Sequence, residues 1–387
     1  MVTFVFTNPR HHVDMMVPVA KKLAAQGEPT RFVSLAELRG FQTPDLPKLV
    51  PHTTVKQALP RWIRKDPSVG AGLEGAGGAA ARSTAQKLAW HTVLAPRLRW
   101  LLRGSDVVVL PNDAAFPYGQ LAEQLRRAEV PFALLQEGIR FPLPTEQAAG
   151  APYGGGGASA VCVWGEASAE HFRKVGANVV ITGTPRWDDV DPAQWRARGE
   201  ALQAKLGLSE RPLLFLSNTI DDQGFCTTAE KYDLFHAFLE RAAPVLAGRP
   251  IVAKLHPRES VAGFRNTAKH TPQANVTVLD GSEPLFEVLA MGQAAVVLAS
   301  TVGLEALAFG LPLGVLALPK YGHIFEYVER GAAVGLTLDN LARELPALVA
   351  GERPRADSFL ERHLAHRGQA ADRIASTLLE LRSRRSS

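Results

Sequence analysis

Short apolar runs alternate with amphipathic stretches along almost the whole chain. These runs are rich in valine, isoleucine and leucine, and their apolar residues are continuous, which predicts strands covered on both faces. They occupy 3–7, 31–35, 107–111, 132–136, 160–164, 179–183, 213–217, 251–255, 276–280, 295–299 and 312–318. Helical patterns lie between them, such as 14–27, which ends at Gly27 as a helix C-terminus often does. This alternation, in two successive sets, predicts two doubly wound parallel sheets.

The length of 387 residues suits two domains, since single domains usually hold about 100–200 residues. Residues 184–207 are charged, contain prolines and precede a new strand, so we place the interdomain linker there. We predict an α/β protein with a Rossmann-like N-terminal domain over 1–190 and a Rossmann-like C-terminal domain over 191–355. A cleft is expected between them. The helical pattern over 356–387 is expected to pack back on the N-terminal domain.

The composition is that of a folded chain, with 46% hydrophobic and 21% charged residues. The formal charge of +5 favours anionic partners but does not choose among nucleotides, anionic lipids and nucleic acid. Cys162 and Cys226 lie far apart without the spacing of a zinc site or a disulfide framework, so we expect reduced thiols in the cytoplasm. The opening residues predict a first strand and not a signal peptide, and no apolar run predicts a transmembrane helix.

The sequence VVLASTVGLEALAFG (296–310) runs from a buried strand into a helix. Ligands of parallel sheets bind at the carboxyl ends of the strands, and free N–H groups at a helix start bind phosphate. Ser300, Thr301 and Gly303 stand at this transition and are candidate phosphate ligands, although the two hydroxyls could serve only as helix caps. Glu305, one turn further, could accept hydrogen bonds from ribose hydroxyls or only favour the helix start electrostatically.

The sequence IVAKLHPRES (251–260) brings a histidine to the end of another strand. A lone histidine is often a structural residue. Here His256 is flanked by Lys254 and Arg258 at an edge that faces ligands, so its imidazole could donate to a phosphate oxygen and stabilise a leaving group's charge. We predict that all three residues contribute to a phosphate site.

In the first half, FALLQEGIRF (132–141) ends a strand with Gln136, Glu137 and Gly138. Glu137 could take a proton from an acceptor hydroxyl, or it could be a surface residue in a turn. The following segment, 142–159, contains four consecutive glycines and is expected to be a mobile loop that serves as a lid or binds the acceptor.

The first strand also ends in polar residues, in VFTNPRHH (5–12). Asn8, His11 and His12 are candidates for the acceptor side, although adjacent histidines at a helix start are common and need no ligand.

Taken in order, QEG, HP and Ser-Thr resemble three short motifs of the bacterial sialyltransferases of the GT-B glycosyltransferase superfamily. That resemblance implies that Glu137 is the general base, that His256 supports the departing nucleotide phosphate, and that Ser300 and Thr301 bind it through their hydroxyls. Gln136 departs from the motif, whose first position is acidic, and this weakens the implication of a sialic acid substrate. The stretches KLHP, VWGE and GTPRWD resemble the capsule-polysaccharide and CDP-glycerol glycerophosphotransferase families, which share the two-domain architecture.

Asp189 and Asp191 spell the DxD metal motif of another glycosyltransferase fold, but they stand in the predicted linker without a strand-and-turn context. We therefore expect no metal and no other cofactor. Hydroxyls, a helix dipole and an imidazole would stabilise the charge of the leaving group. Nucleotide-binding P-loop, nucleophile-elbow and zinc-protease motifs are absent from the sequence.

The segment 61–103 combines basic residues with tryptophans. It contains Arg61, Arg64, Lys65, Arg82, Lys87, Arg97, Arg99, Arg103, Trp62, Trp90 and Trp100. Such a face could dock on an anionic membrane, where a lipid-linked acceptor would be found, or bind an acidic glycan. It could also be a solvated helix whose aromatics cover the core. Nucleic acid is not expected as a partner, because no recognised motif accompanies the charge.

Together these features predict an inverting, metal-independent glycosyltransferase or related group transferase. It would move a sugar from a nucleotide-activated donor on the C-terminal domain to a glycan or lipid-linked acceptor on the N-terminal domain, in surface polysaccharide synthesis. The protein would be cytoplasmic, with peripheral contact to the inner membrane face through 61–103. Two alternatives stay open: an enzyme like the UDP-N-acetylglucosamine 2-epimerases, which STVGLEALAFGLPLGVL (300–316) resembles, and a non-catalytic protein that binds a nucleotide or glycan.

Overall fold

The computed structural model describes residues 1–59, 90–139, 152–352 and 356–386. These residues form two compact units. The first contains the described residues up to 189 together with 363–386, and the second contains 190–352 and 356–362. Each unit is built around one sheet.

The described residues contain thirteen strands and twelve α-helices. The strands are β1 (Val2–Phe6), β2 (Thr30–Ser34), β3 (Thr53–Gln57), β4 (Val107–Leu110), β5 (Phe132–Leu135), β6 (Ala160–Val163), β7 (Val179–Ile181), β8 (Leu213–Leu216), β9 (Ile251–Lys254), β10 (Val276–Leu279), β11 (Ala294–Val297), β12 (Leu313–Leu316) and β13 (Val334–Leu336). The helices are α1 (His11–Ala25), α2 (Ala95–Leu101), α3 (Tyr118–Arg127), α4 (Glu166–Lys174), α5 (Pro192–Lys205), α6 (Thr228–Leu246), α7 (Val261–Lys269), α8 (Leu285–Met291), α9 (Val302–Ala308), α10 (Leu341–Val349), α11 (Asp357–His363) and α12 (Ala370–Ser386).

The first unit is a seven-stranded parallel sheet in the order β3-β2-β1-β4-β5-β6-β7. Its central strands are buried on both faces. Val2, Phe4 and Phe6 of β1 pack in one cluster with residues of α1 and α12. Val5 lies on the opposite face, in a cluster with residues of α2, α3 and α4. This two-sided burial explains the continuous apolar runs and confirms the predicted doubly wound sheet.

Helix α12 belongs to the first unit and begins at a carboxylate. Asp188 accepts hydrogen bonds from the N–H groups of Ala370 (2.9 Å) and Ala371 (2.6 Å). These are amides that a helix start leaves without helical partners, and a negative charge is favourable there. Further along, Lys22 of α1 donates to Asp372 of α12 at 2.8 Å.

The second unit is a six-stranded parallel sheet in the order β10-β9-β8-β11-β12-β13. Helices α6, α7 and α10 share one core cluster with the sheet. Helix α5 crosses α8 so closely that a Cβ added to Gly199 would lie 2.7 Å from backbone atoms of Ala290 and Met291. Glycine at this position therefore permits the crossing.

In both sheets the strand order reverses direction at one point. The chain builds outward from β1 to β3 and then resumes on the other side of β1 with β4. In the second sheet it builds from β8 to β10 and resumes beside β8 with β11. Connections run away from such a point on both sides, which leaves a crevice at the carboxyl ends of the two strands where ligands of α/β proteins bind.

Candidate functional site

At the switch point of the second sheet, the ends of β8 and β11 are tied together. Asn218, which follows β8, donates from Nδ2 to the carbonyl oxygen of Ala299, which follows β11, at 2.6 Å. Asn218 and Ser300 are both buried, whereas Thr301 is partly exposed. The predicted Ser-Thr pair therefore lies directly beside the crevice.

His256 stands at the end of β9, the strand on the other side of β8. Its Nδ1 accepts a hydrogen bond from the backbone N–H of Arg258 at 3.2 Å. Burial, followed by the nearby charge of Arg258, lowers the pKa of His256 to about 4. The ring is therefore neutral at physiological pH, and because Nδ1 is an acceptor, its proton is on Nε2. An uncharged imidazole with this tautomer is a fixed hydrogen-bond donor.

A buried ionic cluster joins His256 to the end of β8. One carboxylate oxygen of Glu259 accepts from the N–H of His256 (2.8 Å), and the other accepts from the hydroxyl of Ser217 (2.9 Å). The second oxygen also lies 3.3 Å from the ammonium of Lys231, which is 2.8 Å from Asp221. Each charge has an opposite partner, as buried charges require. The cluster links the ends of β8 and β9, and through Glu259 it fixes the backbone of His256.

The two cations that flank His256 have different surroundings. Arg258 is largely exposed and its guanidinium donates to the hydroxyl of Thr219 at 3.0 Å, at the end of β8. Lys254 donates to the carbonyl oxygen of Glu283 at 3.0 Å, and burial lowers its pKa. Because Glu283 follows β10, the ammonium of Lys254 lies on the side of β9 away from β8. The structure thus brings Arg258, but not Lys254, towards the β8–β11 crevice.

The two hydroxyls of the Ser-Thr pair differ in whether they cap the following helix. Ser300 Oγ accepts from the N–H of Val302 at 3.3 Å, so this hydroxyl caps the start of α9. Thr301 occupies the N-cap position, yet its side chain makes no capping hydrogen bond. Helix α9 spans only seven residues.

Gly303 and Glu305 lie inside α9, next to Tyr327. The Tyr327 hydroxyl donates to the carbonyl oxygen of Ser300 at 3.2 Å, and a Cβ added to Gly303 would come within 3.0 Å of the tyrosine ring. Glu305 is only 6% exposed. Burial, followed by the charge of Glu305, raises the pKa of Tyr327. Gly303 therefore acts by letting Tyr327 support the Ser300 backbone.

The switch point of the first sheet brings together residues from the ends of β1, β4 and β5. His12 accepts at Nδ1 from the backbone N–H groups of Thr7 (3.3 Å) and Asn8 (3.2 Å). Its proton therefore lies on Nε2, which donates to Glu137 Oε1 at 2.5 Å. Asn112 donates to the other oxygen of Glu137 at 3.3 Å.

The carboxylate of Glu137 is charged and partly open to solvent. Burial opposes its ionisation, but the hydrogen bond from His12, the electrostatic influence of the two histidines and the hydrogen bond from Asn112 outweigh it, and the net effect lowers the pKa of Glu137. Its side chain is 30% exposed, against 6% for that of His12. A carboxylate has about four acceptor positions, so two hydrogen bonds leave room for an incoming hydroxyl.

The other candidates on the acceptor side are occupied by the protein. His11 donates from Nε2 to the carbonyl oxygen of Glu137 at 2.9 Å, and burial followed by the charge of Arg186 lowers its pKa to about 4. Asn8 Oδ1 accepts from the N–H of His11 at 3.1 Å at the start of α1. These contacts fix the loop after β1 and hold the backbone of Glu137.

The contacts of Gln136 explain why an amide stands where the motif has an acidic residue. It is 1% exposed, accepts from the N–H of Trp164 at 2.8 Å, and donates to the carbonyl oxygen of Gly138 and the hydroxyl of Ser168, both at 2.8 Å. An ionised carboxylate could accept but not donate. The amide is therefore required where β5 and β6 end.

The prediction of a mobile glycine-rich loop is wrong for 152–159, whereas 142–151 lies outside the described residues. The N–H groups of Gly154 and Gly156 each donate to a carboxylate oxygen of Asp113 at 2.7 Å. A Cβ added to Gly156 would come within 2.6 Å of that carboxylate, and one added to Gly154 within 2.4 Å of the Phe172 ring. The glycines here permit close packing around Asp113.

Of the basic and tryptophan-containing segment 61–103, residues 61–89 lie outside the described part. Trp90 is 6% exposed and belongs to the core. Trp100 is 50% exposed, with the guanidinium carbon of Arg97 4.8 Å from its ring centre. No helix within the described ranges is long and apolar enough to cross a membrane.

The DxD sequence has a structural use. Asp191 Oδ1 accepts from the N–H of Ala193 at 2.9 Å and caps α5, while Asp189 is exposed. Among the described residues, no group of three or more histidine, cysteine or acidic side chains is arranged to hold a metal ion.

Several site residues escaped the sequence analysis. Ser217, Asn218 and Asn112 follow strands directly, so the same strand-end argument that selected His256 would have found them. Lys231 lies on α6 and gives no comparable signal.

Comparison with known proteins gives a match in structure but not in sequence. No protein-family model and no curated protein matches the sequence. The UDP-GlcNAc 2-epimerase from Methanocaldococcus jannaschii superposes with a TM-score of 0.60 at 12% identity, over 98% of this chain and 99% of that chain. S. aureus MnaA, solved with UDP, gives 0.57 at 13% identity, over 98% and 97%.

The wall teichoic acid polymerase TagF, in a form solved with CDPG, gives a TM-score of 0.58 at 13% identity, over 100% of this chain and 89% of that chain. These likenesses give no specific support to the sialyltransferases. At such low identities they establish the architecture alone: the chain has the two parallel-sheet α/β domains of the GT-B fold.

Proposed function

We propose that the protein is an inverting, metal-independent transferase that moves a sugar, or a related group, from a nucleotide-activated donor to a hydroxyl of a glycan or lipid-linked acceptor. The observation that carries this proposal is the placement of His256 at the end of β9 and of Ser300 and Thr301 at the end of β11, on the two sides of β8. A phosphate oxygen accepts hydrogen bonds and needs such donors around it.

On the donor side, the phosphate would accept from His256 Nε2–H and the Thr301 hydroxyl, with Arg258 close enough to contribute charge. Because the imidazole of His256 is already neutral at pH 7, its Nε2–H stays available as a donor at that pH. The hydrogen bond from the backbone N–H of His256 to Glu259 holds the residue in place. S. aureus MnaA was solved with UDP and TagF with CDPG, and the same kind of ligand fits the chemistry of this crevice.

On the acceptor side, Glu137 would accept the proton of the attacking hydroxyl. Its lowered pKa keeps it ionised at neutral pH, and His12 and Asn112 fix its orientation. A carboxylate of low pKa is a modest base, so proton transfer is expected to accompany attack and not to precede it.

The proposed reaction is a single displacement. The acceptor O–H bond breaks and its proton passes to Glu137, while the acceptor oxygen forms a bond to the anomeric carbon. The bond from that carbon to the phosphate oxygen breaks, and its electron pair leaves with the nucleotide. Attack opposite the leaving group inverts the configuration, and the donors around the phosphate stabilise its new charge.

A thermal-shift screen with UDP, CDP, CMP and GDP tests the donor side. A nucleotide at 100 times its dissociation constant stabilises the protein by about 2.7 kcal/mol. We expect a shift with at least one nucleotide, reduced in His256→Ala and retained in His270→Ala, a matched change at an exposed residue outside the site. If no nucleotide stabilises the protein, the proposal is wrong.

Turnover tests the chemistry. Loss of a general base costs a factor of about 10²–10⁴ in rate, and loss of one donor to a developing anion about 10²–10³. We therefore expect Glu137→Gln and His256→Ala to lose most transfer with folding retained, and the exposed Glu123→Gln to keep it. Near wild-type transfer by both site variants would refute the assigned roles.

A second candidate function is epimerisation of a nucleotide sugar, because the UDP-GlcNAc 2-epimerase from Methanocaldococcus jannaschii shares the fold over 98% of this chain. NMR of UDP-N-acetylglucosamine incubated without an acceptor separates the two. An epimerase would accumulate the 2-epimer, whereas a transferase would leave the donor unchanged or hydrolyse it slowly. Nucleotide-induced stabilisation without turnover, with or without acceptors, would indicate a binding protein.

A further inference from the structure

A cavity of about 790 Å³ lies at the outer edge of the first sheet. Its lining comes from the segment 43–47, from edge strand β3 and from α2. Neither His12 nor Glu137 lines this cavity. Small-molecule pockets usually enclose about 300–1,000 Å³, so the space suits a ligand of a few sugar rings.

One wall of the cavity is aromatic. Trp100 lines it and remains 50% exposed, although the neighbouring α2 residues Leu98 and Leu101 are buried. The Arg97 guanidinium covers part of the indole at 4.8 Å and lines the same cavity. An exposed indole presents a flat apolar face with a polar edge, which suits the alternating C–H and O–H groups of a sugar ring.

The two cations that line the cavity have no ion-pair partner within the described residues. Within the described residues, neither Arg97 nor Lys56 forms an ion pair, whereas Asp45, at 57% side-chain exposure, pairs with Lys48. Unpaired cations in a concave site attract anions, and the fork of an arginine matches a carboxylate or phosphate. Gln57, also in the lining, offers donors and an acceptor for hydroxyl groups.

We infer that this cavity binds an acidic oligosaccharide, a chain of sugar or polyol units that carries carboxylate or phosphate groups. The concave shape and the amide and carboxylate in the lining favour a discrete polar ligand over a membrane surface, which would meet a flat or convex apolar face. The inference does not depend on the proposed transfer reaction, since none of the lining residues takes part in it.

Isothermal titration of the full chain with three probes tests the inference: tetragalacturonate, tetra(glycerol phosphate) and neutral maltotetraose. At least one acidic probe is expected to bind, and maltotetraose to bind at least about tenfold more weakly, since a charge-assisted hydrogen bond is worth about 1.5–3 kcal/mol. Arg97→Ala and Trp100→Ala should each weaken the binding of the acidic probe by about tenfold. Arg99→Ala, which removes the same charge from an exposed position of α2 outside the lining, should leave binding within about twofold.

Three results would overturn the inference. The first is no binding of either acidic probe to a wild-type protein that is folded by circular dichroism. The second is equal weakening by Arg97→Ala and Arg99→Ala, which would indicate a diffuse positive surface. The third is binding to vesicles of phosphatidylcholine and phosphatidylglycerol that Trp100→Ala abolishes, without oligosaccharide binding, which would make this face a membrane surface. Because His256→Ala should retain oligosaccharide binding, the inference and the proposed reaction can fail separately.

Discussion

The hydrogen bond between His12 and Glu137 makes a prediction about the acid side of the reaction. Its donor is 2.5 Å from Glu137 Oε1, and the two side chains are 6% and 30% exposed. A hydrogen bond to a charged group in such surroundings is worth about 1.5–3 kcal/mol. His12→Ala removes this contact from the ionised form of Glu137 and should therefore raise its pKa.

The direction of the pKa change in His12→Ala follows from the influences that remain on Glu137. In the wild type the pKa of Glu137 is lowered, although burial opposes ionisation. Without the imidazole, burial acts with less opposition and the protonated form persists to higher pH. Ionised Glu137 is the proposed base, so the acid limb of kcat/KM should move towards neutral pH. Wild-type activity should fall only below the ordinary pKa range of glutamate.

Carbon-13 NMR of labelled glutamate measures this pKa without relying on activity, with the Glu137→Gln spectrum supplying the assignment. His12→Gln is the matched control, because its amide Nε2 can donate from a similar position. We expect the control to keep a lower pKa for Glu137 than His12→Ala does. An unchanged pKa in His12→Ala, or equal values in the two variants, would refute the assigned contact.

Three further predictions concern packing and folding. Gly199→Ala should destabilise the second unit by up to about 2 kcal/mol, because overpacking against the Ala290 backbone costs about 1–3 kcal/mol and the gain in helix propensity offsets about 1 kcal/mol of it; a higher melting temperature would contradict this. Gln136→Glu should lower the melting temperature rather than restore a catalytic acid, because its carboxylate would face the Gly138 carbonyl oxygen; unchanged stability would show that the amide is dispensable. Asp113→Ala should speed amide hydrogen exchange in 152–159 by at least about tenfold, since a buried and a partly buried N–H group lose their acceptor; unchanged exchange measured by mass spectrometry would argue against the anchoring role.

The continuous apolar runs predicted eleven strands because those strands are covered by helices or neighbouring chain on both faces. Two strands were missed. In β3, TTVKQ contains only one apolar residue, and its positions alternate between partly buried and exposed, as in an edge strand with one solvated face. In β13 only three residues, VGL, form the strand, too few for a pattern. The sequence signal thus followed burial, and it failed where burial was one-sided or short.

Part of the candidate site was predictable for a related reason. Parallel strands end at one edge, so the strand-end residues His256, Ser300 and Glu137 could be assigned to sheet edges from their position alone. Their partners could not, because pairing across a sheet depends on which strands are neighbours. Glu259 meets Lys231 of α6, and Glu137 meets Asn112. The glycine run could not be interpreted from its composition, because that composition is the same whether the segment is solvated or packed around a carboxylate such as Asp113.

The central claim is that a nucleotide phosphate binds in the β8–β11 crevice beside a neutral imidazole. A crystal structure of the protein with the nucleoside diphosphate that gives the largest thermal shift would test it most directly. The account predicts a phosphate oxygen about 2.7–3.2 Å from His256 Nε2, with the Thr301 hydroxyl also in hydrogen-bond contact. A nucleotide bound elsewhere on the protein, with both of these groups left without contact to it, would contradict the account.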